Sequence, residues 1–235
     1  LKNASAVAST HTTASTSAGT TVISDLAYGY YVVYPLGATD TSAAPGEQDY
    51  TSVASLVSVT GDTSINMKSN YPTVVKKVND KTADDVNIGD TVTYTLTSKV
   101  PDMTGYTSYV FNFKDTLSAG LTFKEITSVT VGETTITKVD AGQEANDTYT
   151  LTQTGQNITI TMNNFLASNA KKVGQEIKVT YTVTLNKDAV TGFDANKNSA
   201  TVEYSNKPGT DNKGESEPSI VDVHTFNFTI FKYYL

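Results

Sequence analysis

The chain has 235 residues, none of them cysteine, and a formal net charge of -7 from 17 basic side chains against 24 acidic ones. Disulfides, thiolate metal sites and cysteine nucleophiles are excluded, and with every basic residue a lysine and the balance acidic, a surface that tracks nucleic acid is disfavoured. Apolar runs are only a few residues long, so no segment reads as a membrane span, while roughly one residue in six is threonine, a preference for half-buried extended backbone. Residues 1 to 20 are Ala/Ser/Thr-rich without a sustained period and read as a surface segment. Strands follow over Thr21-Val22-Ile23 and Asp25 to Tyr34, with Gly29 separating a tight turn from a β-branched and aromatic run that Pro35 ends. After a polar loop over 36 to 50, a strand around Val53 to Val59 turns at Gly61-Asp62 and extends again over Ile65-Asn66-Met67-Lys68. A domain boundary is placed at Ser69 to Pro72.

Beyond Thr73 the period-two alternation is regular. Val74, Lys76 and Val78 share one strand face, and Val92, Tyr94 and Leu96 alternate with threonines. Tyr109, Phe111, Phe113 and Asp115 share a face, as do Ile158, Ile160 and Met162. Ile177, Val179, Tyr181, Val183 and Leu185 form one inward row, and Asn198, Ala200, Val202 and Tyr204 another. With no long amphipathic helix between them, these strands predict a β-sandwich of roughly 150 residues. Residues 205 to 219 read as a loop or linker, and Val221 to Tyr234 as a strand of a following module. A chain that starts on leucine and stops within a strand is expected to be a fragment of a longer one.

Three polar residues interrupt apolar rows: Lys76 between Val74 and Val78, Asp115 after Phe111 and Phe113, and Asn198 before Ala200 and Val202. Taken singly, each could sit at a strand end and reach solvent. Taken together, they suggest chemistry. An amine whose ordinary pKa is about 10.4 becomes nucleophilic when burial removes its proton, and a carboxyl group buried beside it is driven towards the acid form. A neutral Lys76 facing the Asn198 carboxamide, with protonated Asp115 polarising the carbonyl and moving protons while ammonia leaves, would give a Lys-Asn isopeptide crosslink.

Five separated runs add a resemblance. Pro72-Thr73-Val74-Val75-Lys76-Lys77-Val78, Ile88-Gly89-Asp90-Thr91-Val92-Thr93-Tyr94, Asp115-Thr116-Leu117-Ser118-Ala119-Gly120-Leu121-Thr122-Phe123, Val179-Thr180-Tyr181 and Asn198 to Pro208 occur in order. Over about residues 71 to 222 the chain resembles the isopeptide-forming second domain of sortase-assembled Gram-positive backbone pilins. The resemblance implies an all-β fold, an Ig-like, Cna-type β-sandwich over 71-222. Residues 1-70 would be the C-terminal part of a preceding β-rich pilin domain, whose strands often carry a turn like Gly29-Tyr30-Tyr31, and 223-235 the start of a following domain or linking strand. It also implies Lys76 and Asn198 as the crosslinked pair and Asp115 as the catalytic acid. Lys77 competes for the lysine role, and strand parity favours Lys76. The family's sortase acceptor lies in a Tyr-Pro-Lys motif. Here Tyr34-Pro35 is followed by Leu36 and Tyr71-Pro72 by Thr73, so Lys68, near the corresponding junction, is the acceptor candidate.

Other signals are weak. Asp84-Asp85, Asp188 and Asp194 match no calcium-loop spacing and read as solvated loop carboxylates. Asn146-Asp147-Thr148, Asn157-Ile158-Thr159 and Asn227-Phe228-Thr229 fit the glycosylation sequon, in a chain rich enough in Asn and Thr to produce it by chance. The two histidines, His11 and His224, have no partner motif, and no nucleophile elbow or phosphate loop is present. No metal, cofactor or multiple-turnover enzyme is expected. The leading expectation is a structural subunit of an extracellular, cell-wall-anchored pilus. Its partners are other pilin subunits joined through sortase-made links, the pilus sortase itself, and a host surface ligand. The alternative is a cell-surface adhesin or glycan-binding module offering exposed tyrosines as flat platforms.

Overall fold

The computed structural model describes residues 23–33, 55–63, 71–206, 208–227 and 231–233. Lys68, the extension over Ile65 to Lys68, the loop over 36 to 50 and the segment 1 to 20 lie outside these residues. The chain falls into two compact units. In the first, β1 (Gly29–Val33) and β2 (Ser55–Val59) pair antiparallel with Tyr31 opposite Val57. Gly29 opens β1 at the start of the aromatic and β-branched run, and Gly29-Tyr30-Tyr31, likened above to a turn, is strand because it continues the alternation of Val32 and Val33.

The second unit holds β3 (Val75–Val78), β4 (Ala83–Asp85), β5 (Thr91–Lys99), β6 (Phe111–Leu117), β7 (Leu121–Val131), β8 (Thr134–Thr135) and β9 (Thr137–Lys138). These are followed by β10 (Thr148–Thr154), β11 (Asn157–Met162), α1 (Phe165–Asn169), β12 (Glu176–Leu185), β13 (Asn196–Ser205), β14 (Lys213–Glu215) and β15 (Ser219–His224). Among the described residues the strands form two sheets: β3-β5-β12-β7-β8, and β4-β15-β13-β6-β11-β10-β9 with β14 also paired to β13. The inward rows of both sheets make one core. Val92, Tyr94 and Leu96 from β5 and Ile177 to Leu185 from β12 line one side, and Phe111, Phe113, Ile158, Ile160, Ala200 and Val202 the other. Each large aliphatic or aromatic side chain taken out of water there stabilises the fold by about 1.5–3 kcal/mol before ordering costs. The outward faces carry mostly Thr, Lys and Glu, as a half-buried antiparallel sheet requires.

Two expectations about the C-terminal stretch are corrected. Residues 205 to 219 are not a linker throughout, because β14 pairs with β13, placing Gly214 opposite Tyr204. The strand read as part of a following module begins at Ser219 and belongs to this sandwich. It lies antiparallel to β13, with Val221 opposite Asn198, and parallel to β4. Val221 and Val223 are fully inward and complete the core row. Gly120 is fixed by close approach, since a Cβ there would run into the Asn196 side chain and the Ala189 backbone. That contact seats the turn after β6 against the start of β13.

Candidate functional site

Period-two geometry brings the three interrupting residues to one place. Lys76 points inward from β3, at the edge of the five-stranded sheet, and Asp115 and Asn198 point inward from neighbouring strands β6 and β13 of the facing sheet. All three are buried, with exposures of 2%, 2% and 0%. Lys77, one residue on, is exposed. β15 braces the lysine strand, because the Ser219 hydroxyl accepts a hydrogen bond from the Lys76 backbone N–H at 2.9 Å.

The Lys76 ammonium ion-pairs with Asp115 Oδ2 and donates to the Tyr181 hydroxyl at 2.7 Å. The Tyr181 hydroxyl donates to the same Asp115 oxygen at 2.5 Å and accepts from Asn198 Nδ2 at 2.9 Å. The rings of Tyr94 and Tyr181 lie side by side near the amine, 5.2 and 5.4 Å from Nζ to the ring centroids, which favours a cation at a site that water does not reach. The two rings stack with centroids 5.4 Å apart. On the acid and on the amide, Asp115 Oδ1 and Asn198 Oδ1 are buried without a hydrogen-bond partner. Such groups are costly.

Burial is the dominant influence on the lysine. It pushes the Lys76 amine down from 10.5 to about 8, against the opposing charge and hydrogen bond of Asp115. Burial also pushes the Tyr181 phenol well above its usual range, and the Asp115 charge and hydrogen bond add to that. A lysine held this way has a substantial neutral fraction near neutral to mildly alkaline pH, where a solvated lysine has almost none.

Sequence reading does not single out Tyr181 as a site residue, since a tyrosine in an inward row is an ordinary core residue. The available signal was its hydroxyl, the one polar group in the otherwise aliphatic β12 row Ile177, Val179, Val183, Leu185, which a core must satisfy. Of the acidic residues weighed as cation ligands, Asp84 pairs with Lys81 and Asp188 with Lys187. Among the described residues no group of three or more His, Asp or Glu is placed to hold a metal. Among the described residues of this unit, Tyr94, Tyr106, Tyr109, Tyr149, Tyr181 and Tyr204 are buried, while Tyr71 and Tyr233 are exposed.

The family model for Gram-positive pilin backbone subunit 2, Cna-B-like domain, matches residues 88–208. That range includes Asp115, Tyr181 and Asn198, while Lys76 precedes it. No curated protein sequence matches the chain. Among solved structures, the 35 kDa C-terminal fragment of the major pilin GBS80 of Streptococcus agalactiae is similar at 20% identity and a TM-score of 0.52, covering 67% of this chain and 57% of that one. BcpA, the major pilin subunit of Bacillus cereus, is similar at 21% identity and a TM-score of 0.51, covering 84% of this chain and 55% of that one. The full-length major pilin SpaD from Corynebacterium diphtheriae is similar at 23% identity and a TM-score of 0.50, covering 83% of this chain and 46% of that one. The chain thus spans little more than half the length of the first two. At these identities the likeness is one of fold.

Proposed function

The chain belongs to the Gram-positive pilin backbone family, and we propose that it builds the shaft of a covalently polymerised cell-surface pilus whose sandwich is locked by a Lys76–Asn198 isopeptide bond. The observation that carries this reading is the meeting of Lys76, Asp115 and Asn198 in the interior between the two sheets, on β3 and on two adjacent strands of the opposite sheet. The bond would tie an edge strand near the start of the domain to β13 near its end. A pull along the chain would then bypass most of the fold, and local opening to proteases would be rare.

The chemistry is a single autocatalytic event. Neutral Lys76 attacks the Asn198 carboxamide carbon, Asp115 in its acid form supplies a proton and polarises the carbonyl, and ammonia departs. The core supplies proximity, since three strands fixed by β-ladders hold amine, acid and amide together without further ordering. In the shaft, a pilus sortase would join successive subunits, with Lys68 as the attacking amine because an external enzyme needs an exposed lysine near a domain junction. The adhesive alternative draws on tyrosine platforms, and the burial of most of the described tyrosines in this unit leaves it less to work with.

Two measurements test the proposal. The folded protein should weigh one ammonia less than its sequence, and digestion should release a branched peptide joining Lys76 to Asn198. A well-folded protein of full sequence mass would remove the crosslink. Incubation with the cognate pilus sortase should give covalent ladders that Lys68→Ala abolishes while the fold persists, and unchanged ladders would move the acceptor role to another lysine.

A further inference from the structure

The arrangement leaves a gap that Asp115 alone does not fill. Asp115 contacts the amine through Oδ2, but the nitrogen that must leave, Asn198 Nδ2, is hydrogen-bonded to the Tyr181 hydroxyl. Tyr181 touches all three members: Lys76 Nζ at 2.7 Å, Asp115 Oδ2 at 2.5 Å and Asn198 Nδ2 at 2.9 Å. One donor and two acceptor positions are a hydroxyl's full capacity, so the whole hydrogen-bonding ability of this phenol is spent on the reacting groups. We propose that Tyr181 is a catalytic residue of the crosslinking reaction, relaying to the departing Asn198 nitrogen the proton that Lys76 gives to Asp115. The proposal rests on the Lys76–Asn198 crosslink of the preceding subsection.

The steps balance. Lys76 passes one ammonium proton to Asp115 Oδ2, leaving an amine and an acid. The amine lone pair forms the new N–C bond to the Asn198 side-chain carbon, and the carbonyl π pair moves to Oδ1. Asp115 then donates through Oδ2 to the Tyr181 oxygen while the phenolic proton passes to Nδ2, whose lone pair is free once the amide conjugation is lost. The C–N bond breaks, ammonia leaves with its electron pair and the carbonyl re-forms. The attacking nitrogen returns its surplus proton to the Asp115 carboxylate. The products are the secondary amide, one ammonia and Asp115 in its acid form, with no oxidant or outside co-reactant.

Three features fit a relay better than a packing role. The ring is held by stacking on Tyr94 at 18° between planes, and exposure of the residue is 1%. Pairing of β12 with β7 shifts register on both sides of the Tyr181-Thr182 pair, between Thr180 and Tyr181 and between Thr182 and Val183. Irregularities of this kind re-aim side chains and cluster beside reactive sites. Burial keeps the phenol protonated at any pH where Lys76 is reactive, so it can pass a proton on but cannot replace Asp115 as the group that takes one from the amine.

The test follows newly made full-length chain from cell-free synthesis, arrested at timed intervals and read by intact mass, with resistance to protease as the measure of folding. Wild type loses one ammonia. Tyr181→Phe should fold and lose it roughly a hundredfold more slowly. A second form carries 3-fluorotyrosine at position 181, which keeps the packing and makes the phenol more acidic; its rate should rise several-fold. This arm decides the question if Tyr181→Phe does not fold. Wild-type rates in both would overturn the relay while leaving the crosslink in place, whereas a wild type that never loses ammonia overturns the crosslink reading itself.

Discussion

Lys114 and Asp115 are neighbours on β6, yet one faces solvent and the other the core. On the outer face Lys114 pairs with Glu203 at 2.8 Å and Glu215 at 3.3 Å, its side chain 37% exposed. On the inner face Asp115 pairs with Lys76, both side chains essentially without solvent. The two clusters share a charge pairing and differ in their surroundings, and the lysines respond in opposite directions. Hydrogen bonding to Glu203 raises the Lys114 pKa, whereas burial outweighs Asp115 and lowers that of Lys76 to about 8. A lysine-carboxylate pair is therefore a solvated ion pair on one face of a strand and, on the other, a buried one whose lysine holds its proton less tightly. What converts one into the other is the removal of water.

The largest break in that comparison comes from the inner pair. Asn198→Ala and Asp115→Ala should both retain full sequence mass. A bond between Lys76 and Asn198 closes a loop on the order of a hundred residues, so its loss should cost about 4–5 kcal/mol on the chain-entropy account. Asp115→Ala should be the less stable of the two, by about 3 kcal/mol or more, because it also strands a buried lysine without its counter-charge. Denaturant midpoints of the three proteins check the order. Equal midpoints for wild type and Asn198→Ala would mean that no crosslink operates in the wild type.

A second difference concerns pH. In Asn198→Ala, Lys76 keeps a free amine, with its folded pKa pushed down to about 8 from 10.5. Between those values the unfolded chain holds the proton that the folded chain has released, so stability rises with pH through this window. Above about 10 the sign reverses, because burial pushes Tyr106 and Tyr204 up to about 12 and the unfolded chain loses those phenolic protons first. The variant should therefore show a stability maximum near pH 10. A crosslinked wild type would have no free Lys76 amine and should lack the rising limb. Urea midpoints taken from pH 7 to 11 would separate the two, and parallel curves would contradict it.

The sequence made Lys76, Asp115 and Asn198 legible because each breaks a strict period-two row, and a two-residue period assigns a face without knowledge of tertiary partners. Tyr181 breaks no row, since its ring belongs in a core and only its hydroxyl is out of place. The strands that sequence reading lost are those where alternation fails or runs too short. β4 and β14 have three residues each, and along β7 the register shifts against β12 interrupt the alternation of buried and exposed side chains. β15 reads from sequence as part of another module because the polar stretch before it resembles a linker, although Val221 and Val223 carry the inward row. Composition reports polarity, whereas β14 is polar because it lies at a sheet margin, paired only to β13.

The smallest expected effect lies on the outer face, and its smallness is the point of the comparison. Glu203→Gln removes the carboxylate that binds Lys114 at 2.8 Å and Lys213 at 3.5 Å, and weakens its acceptance of a hydrogen bond from Asn112. The partners stay solvated, and Lys114 retains Glu215. The cost should be at most about 1 kcal/mol, and salt should reduce it further, since charges exposed to water are screened over about 10 Å at 0.1 M. Because Glu203 points away from Asp115 on the paired strands, ammonia loss should proceed at the wild-type rate. Lys77→Ala, a second outward substitution, should likewise leave the mass change intact. If either outer-face variant slowed crosslinking tenfold, the two faces of the sheet would be coupled, and removal of water would no longer suffice to explain the reactivity proposed for the inner pair.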